Sequence, residues 1–208
     1  ELGYTKAEMG TVLMALKLAY GVGQFVNGQL AERFPPRRLL ALGLLGSAGL
    51  NVIFGWATAL YFMTFVWACN GYVQAFGWAP CVRVTANWFP ATRRGRALGI
   101  IGTGYQLCGA LTFVVAGWAA DTFGWRGALF VPSALLAASA LHMWWLLEES
   151  PGHRKSSTPA RHAPAATGNS FRQNLAVTLT NPRLWPVALA LGLLDSCRYG
   201  YTDWGVTH

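Results

Sequence analysis

Apolar stretches recur along this chain between short polar breaks, each close to the 20 or so residues that a helix needs to cross the hydrocarbon core of a bilayer. Six are legible, over residues 10–30, 39–57, 61–82, 97–119, 128–147 and 184–205. Membrane β-strands are about half as long and alternate in polarity, which these stretches do not. The pattern predicts an all-α membrane protein with six visible transmembrane helices.

Composition agrees. With 53% hydrophobic residues, 12% charged, 24 glycines and 10 tryptophans, the chain has too little polar surface for a soluble domain. Its net charge of +8 does not indicate nucleic acid, because the basic residues are dispersed and no recognition motif accompanies them. They follow the loops instead. Arg33, Arg37 and Arg38 lie between the first two stretches, Arg83, Arg93, Arg94 and Arg96 between the third and fourth, and Arg154, Lys155, Arg161, Arg172 and Arg183 before the last. Lys6 and Arg126 fall on the opposite side, while Lys17 and Arg198 lie inside apolar stretches. Since Lys and Arg resist translocation, the odd-numbered loops are expected in the cytoplasm. Trp56, Trp88, Trp125 and Trp185 fall near the predicted interfaces, where indole rings collect. The expected location is a cell membrane of the bacterial inner-membrane type, with the lipid bilayer as a partner.

The chain opens with Glu1 and stops at His208 directly after its last apolar stretch, so it is expected to be incomplete at both ends. Thr5 and Glu8 form a T-x-x-E capping box at the start of the first helix. Between 148 and 181 the composition shifts to Ser, Pro, Ala, His and basic residues, as expected of a cytoplasmic linker. Within it Phe171, Leu175 and Leu179 repeat at helical intervals, which suits a helix lying along the membrane surface. The predicted organisation is a bundle over 1–147, a linker over 148–182, and the first helix of a second bundle over 183–208.

Polar residues inside the apolar stretches are the candidates for chemistry. Lys17, Tyr20, Gln24 and Asn27 share one helical face, either lining a cavity or, for Lys17, snorkelling to the interface. Asn70 and Gln74 form an i, i+4 pair, and Tyr105, Cys108, Gly109 and Thr112 share another face; for Asn70 and Thr112 the favoured role is hydrogen bonding between packed helices. Arg198 lies about 21 Å along its helix from Leu184, and Gln24 about 21 Å from Gly10, so both fall deep in the membrane. An arginine there needs a water-filled cavity or a partner, and Asp195, three residues earlier, can be that partner. Gly43, Gly46, Gly49, Gly99 and Gly102 are expected to let helices approach closely. Cys69, Cys81, Cys108 and Cys197 lack C-x-x-C spacing, and His142, His153, His162 and His208 do not fall at metal-ligand intervals. No metal, cofactor, nucleotide loop or catalytic constellation is expected.

The string GQLAERFPPRR at 28–38 resembles the G-x-x-x-D-R-x-G-R-R loop between the second and third helices of major facilitator superfamily transporters, with Glu32 for the Asp and Pro35 for the Gly. AYGVGQFVNG at 19–28, NGYVQAFGWAPCVRVTANWF at 70–89, RRGRALGI at 93–100 and RYGYTDW at 198–204 are similar, in order and spacing, to the organophosphate:phosphate antiporters of that superfamily. The resemblance implies a fragment of a 12-helix fold covering helices 2 to 7. It implies that Arg198 holds the substrate phosphate, that Gln74 and Trp78 belong to the site, and that Gly28, Glu32, Arg33, Arg37 and Arg38 form a cytoplasmic gate loop. Two positions depart from the antiporter pattern, for Gln24 stands where several members carry lysine and Tyr105 where they carry histidine. Both changes remove positive charge.

The expected activity is secondary transport of a small anionic metabolite by alternating access, as organophosphate:phosphate exchange. Arg198, Gln24, Tyr105, Lys17, Gln74, Trp78 and Tyr20 are the expected substrate residues, in a protein that is monomeric when full length and binds no nucleic acid. A proton-coupled organic-acid symporter, with Asp195 carrying the proton, and a ligand-sensing receptor of the same fold are the alternatives.

Overall fold

Thr5 starts the first helix by a reciprocal pair of bonds. In the computed structural model, which describes residues 3–151 and 171–204, its hydroxyl accepts the Glu8 N–H at 3.2 Å and its own N–H donates to the Glu8 carboxylate at 2.8 Å. The helix, α1, runs Lys6–Arg33, and only Phe34 and Pro35 separate it from α2, Pro36–Trp56. Pro36 suits a first helical position, where no N–H is needed. Farther along, α5 spans Ala91–Phe123 and α6 spans Gly127–Leu146. All four are long and apolar enough to cross a membrane.

The third apolar stretch differs from the single helix expected over 61–82. It is two helices, α3 at Leu60–Gln74 and α4 at Trp78–Trp88, separated by a turn at 75–77. Pro80 has no N–H to offer the Phe76 carbonyl one turn earlier, and the chain tightens ahead of it. Phe76 N–H bonds to the Val73 carbonyl and Gly77 N–H to the Gln74 carbonyl, each at 3.1 Å, in i to i−3 geometry. The tightening takes the Phe76 donor away from the Tyr72 carbonyl. Asn27, fully buried on α1, replaces it by donating Nδ2 to that oxygen at 3.2 Å.

The crossing of α1 and α3 is made by glycines. A Cβ at Gly71 would run into the Leu16 carbonyl, and one at Gly23 would lie 2.7 Å from the Ala75 methyl. Gly43 and Gly46 likewise admit Phe76 and Val73 against α2, whereas Gly49, Gly99 and Gly102 have open space beside them and serve no close approach. Val12, Phe54, Ala57, Met63 and Val66 make the apolar core. Beside it Ser47 donates to Asn70 Oδ1 at 2.7 Å and Asn70 Nδ2 donates to Asn51 at 2.8 Å, joining α2 to α3 as expected of Asn70. Thr112 does not join helices, because its hydroxyl bonds back to the Cys108 carbonyl of its own turn at 2.8 Å.

On α5 only Ala119 is buried, while Leu111, Phe113, Val114 and Trp118 are exposed. Its 33 residues make it the longest of the described helices, and Arg93, Arg94 and Arg96 occupy its first turns. At the opposite end Arg126 donates Nε to the Gly55 carbonyl at 3.0 Å, with its guanidinium 4.9 Å from the Trp125 ring and 5.7 Å from that of Trp56.

The basic end is tied by polar contacts among four helices. Arg83 on α4 donates to the Ala31 carbonyl and, at 3.0 Å, to the Phe34 carbonyl, closing the end of α1. The Glu149 carboxylate accepts the Arg37 N–H at 3.1 Å at the start of α2, a position where the helix dipole favours negative charge. Asn87 and Trp88 donate to the Glu149 and Glu148 carbonyls at 3.0 and 2.9 Å, fastening α4 to the chain that leaves α6.

Residues 1–163 and 164–208 form two separate compact units. The second contains α7, Phe171–Thr180, where a surface helix was expected, and α8, Leu184–Trp204. Asn181 Oδ1 accepts the Arg183 N–H at 3.1 Å in the turn between them, and Trp185 Nε1 donates to the Leu179 carbonyl at 2.9 Å. The linker residues Arg154, Lys155 and Arg161 lie outside the described residues.

Two substitutions test this packing in thermal denaturation of the detergent-solubilised protein. Gly71→Ala is expected to force α1 off α3 and cost about 3 kcal/mol. Arg83→Ala, which leaves two helix-end carbonyls without their donor, is expected to cost about 2 kcal/mol.

Candidate functional site

The polar face of α1 passes from exposed to enclosed along its length. Lys17 and Tyr20 are exposed, Gln24 is half-buried and Asn27 is fully buried. Gln24 Nε2 and Asn27 Oδ1 are enclosed and meet no hydrogen-bond partner among the described residues. The close packing of Gly23 on Ala75 sets this part of α1 against the break between α3 and α4.

Gln74 and Trp78 flank that break, and both are exposed. Gln74 Nε2 donates to Asn70 Oδ1 at 3.4 Å, a long contact that adds little to the bond Asn70 already accepts from Ser47. Gln24 thus follows the glycine that packs on Ala75, and Gln74 and Trp78 stand on either side of the turn that begins there. Tyr105 is exposed on α5, which packs on α6 and α4.

On α8 the guanidinium of Arg198 bonds to the Asp195 carboxylate at 3.1 Å and lies 4.6 Å from the Tyr199 ring. The two side chains keep 35% and 53% of their exposure, so the pair is open on one side. Paired with an aspartate one turn away, a guanidinium in an apolar helix is neutralised without being enclosed.

In the predicted gate loop Glu32, Arg33, Arg37 and Arg38 are all exposed, and Gly28 has open space beside it. The Glu32 side chain makes no bond to another described residue, and Arg37 takes part through its backbone N–H. The joining contacts run through Arg83 and Glu149 instead. Sequence reasoning missed Glu149, which it left inside the linker; its signal was an acidic pair set directly after an apolar stretch on the side rich in arginine. It also missed that Asn27 caps a carbonyl, for which Pro80 in the facing span was the available clue.

Comparison with known proteins places these features in a family. A family model described as the Major Facilitator Superfamily matches residues 1–207. The chain is 29% identical to a probable hexose phosphate transport protein of Chlamydia pneumoniae over 98% of its length and 49% of that protein. It is 27% identical to the glycerol-3-phosphate transporter of Bacillus subtilis, over 100% of its length and 50% of that protein. The membrane sensor protein UhpC of Salmonella typhimurium is 28% identical over 97% of this chain and 48% of its own. The chain thus spans about half the length of these relatives. By the match over nearly all its residues, and with its membrane-length apolar helices, this chain belongs to the Major Facilitator Superfamily of multi-pass membrane proteins.

Proposed function

We propose that the protein containing this chain exchanges an organophosphate for inorganic phosphate across the membrane, by rocking one helical bundle against another. The observation that carries the reading is Arg198, an exposed-edge guanidinium in an apolar helix, set in the string RYGYTDW that resembles the antiporters. Its planar fork holds two oxygens of a phosphate at once, which a lysine cannot do. Relatives named as hexose phosphate and glycerol-3-phosphate transporters support the substrate class.

Asp195 fits the cycle as the occupant of Arg198 between substrates. In the empty carrier it offsets the cost of an arginine inside the membrane, about 2.5 to 3.5 kcal/mol on insertion scales. An arriving phosphate competes for the same donors, so binding and release of the aspartate accompany binding and release of substrate. Lys17, Tyr20, Gln24, Gln74, Trp78 and Tyr105 also take part in substrate recognition in this reading. Gly28, Glu32, Arg33, Arg37 and Arg38 act at the cytoplasmic gate in a state of the cycle other than the one the Arg83 and Glu149 contacts hold.

The pairing of Asp195 with Arg198 also favours a second reading, proton-coupled symport of an organic acid, in which protonation of Asp195 frees the guanidinium. Exchange of labelled phosphate in proteoliposomes of the full-length protein separates the two. Antiport predicts phosphate counterflow that needs no proton gradient; symport predicts proton dependence and no phosphate exchange. A sensor, the role named in the Salmonella relative, predicts negligible uptake altogether.

In that assay Arg198→Gln is expected to lower exchange on the order of 100-fold, and Arg198→Lys roughly 10-fold, because one point charge replaces a two-pronged donor. For Asp195→Asn the antiporter reading expects tighter apparent phosphate binding with slower turnover, seen as KM and Vmax falling together. Under symport the same substitution abolishes the dependence of uptake on pH.

A further inference from the structure

Arg126 stands directly before α6, and its guanidinium is held from one side. Nε donates to the Gly55 carbonyl in the last turn of α2 at 3.0 Å, and the rings of Trp125 and Trp56 lie 4.9 and 5.7 Å from the charge. Gly55 has no room for a Cβ against Phe130, so the close seat of α2 on α6 brings that carbonyl within reach. A guanidinium fixed through Nε still presents its two terminal amino groups as a fork. They have no hydrogen-bond or ion-pair partner among the described residues, and the residue is exposed.

Beside this fork lies an apolar cavity of about 680 Å³, open on one side, with Tyr4, Phe54, Met63, Trp125, Ala128 and Leu129 in its walls. Trp125 belongs to both, as a wall of the cavity and a platform for the guanidinium. The Tyr4 hydroxyl is already used, for it donates to the Thr58 carbonyl at 2.5 Å. The volume falls within the range of about 300 to 1,000 Å³ typical of small-molecule sites. A hollow that takes hydrocarbon, a free fork that takes phosphate, and tryptophans of the kind that mark a membrane interface all match one molecule. A soluble organophosphate has no hydrocarbon to leave in such a hollow, and a diacylglycerol has no charge for the fork. We infer that this is a glycerophospholipid site, in which Arg126 grips the phosphodiester and one acyl chain fills the cavity between α1, α2, α3 and α6. Charge complementarity selects anionic headgroups, because Arg126 enters no ion pair among the described residues and its charge is left for the lipid. Lipid binding here does not depend on which solute the carrier moves.

The test is native mass spectrometry of the full-length protein in detergent. It is titrated with dioleoyl phosphatidylglycerol, with dioleoylglycerol, which lacks the phosphate, and with glycerophosphoglycerol, which lacks the chains. Phosphatidylglycerol is expected to bind roughly tenfold more tightly than dioleoylglycerol, the effect of a charge-assisted pair of hydrogen bonds, and the chainless compound not to be retained. Arg126→Gln removes the charged fork and Ala128→Phe fills the cavity with another apolar group. Each should weaken the tightest phosphatidylglycerol roughly tenfold, while Arg93→Gln at the other end of the unit leaves it in place. Arg126→Lys should keep part of the affinity. If Arg126→Gln fails to fold, Arg126→Lys and Ala128→Phe carry the test, with the rise in melting temperature on adding phosphatidylglycerol as the second measurement. Equal retention of dioleoylglycerol or of the chainless compound, a loss of affinity in Arg93→Gln but not in Arg126→Gln, or an affinity that Arg126→Gln and Ala128→Phe both leave unchanged overturns the inference. So does a wild type that retains no lipid, which would leave the cavity to another part of the full-length chain.

Discussion

A backbone inside a membrane must satisfy its own hydrogen bonds, because the surrounding hydrocarbon offers none. Most of this chain meets that demand in the simplest way, with uninterrupted helices. The place where it does not is the turn at 75–77, and much of the bundle is arranged around that turn. Pro80 interrupts the ladder, the Tyr72 carbonyl loses its donor, and a buried asparagine on a different helix makes good the loss. The repair requires α1 to lie within hydrogen-bonding reach of the α3 backbone. Gly23 and Gly71 allow that approach, and a side chain at either would prevent it.

The same constraint accounts for the exposure of Gln74 and Trp78. A broken helix turns its flanking side chains away from the regular stripe, and Gln74 and Trp78 flank the break on an accessible face. Elsewhere α5 presents a broad apolar surface, and the polar groups Ser47, Asn51 and Asn70 are consumed in packing. Regularity fails at 75–77. The failure is stabilised by neighbours and is therefore a built feature of the fold.

Much of this architecture was legible from hydrophobic length alone. Five of the six apolar stretches match single helices, and the Thr5–Glu8 box and the α7 helix form where local chemistry puts them. Length says nothing about continuity, which is why 61–82 read as one element although GWAP, with glycine and proline three apart, is a plain breaker inside it. Nor do loop charges reveal their partners. The arginines of 28–38 are obvious in the sequence, yet the acid that meets that loop is Glu149, more than a hundred residues away, and only the fold brings it there. The Arg198 and Asp195 pair was visible because its members share one turn of one helix. Contacts within a helix can be read from spacing, whereas contacts between helices depend on packing that spacing does not encode.

The unusual length of α5 carries a consequence for the membrane itself. At 1.5 Å per residue its 33 residues extend for about 50 Å, against a hydrocarbon thickness of about 30 Å. The surplus stands among the headgroups, and on one side it bears Arg93, Arg94 and Arg96. Such a strut can tilt, or sit in a bilayer several ångströms thicker or thinner, without dragging a guanidinium into the oil. Hydrophobic mismatch is then absorbed at the periphery, and the glycine-lined crossing at the centre need not deform to accommodate it.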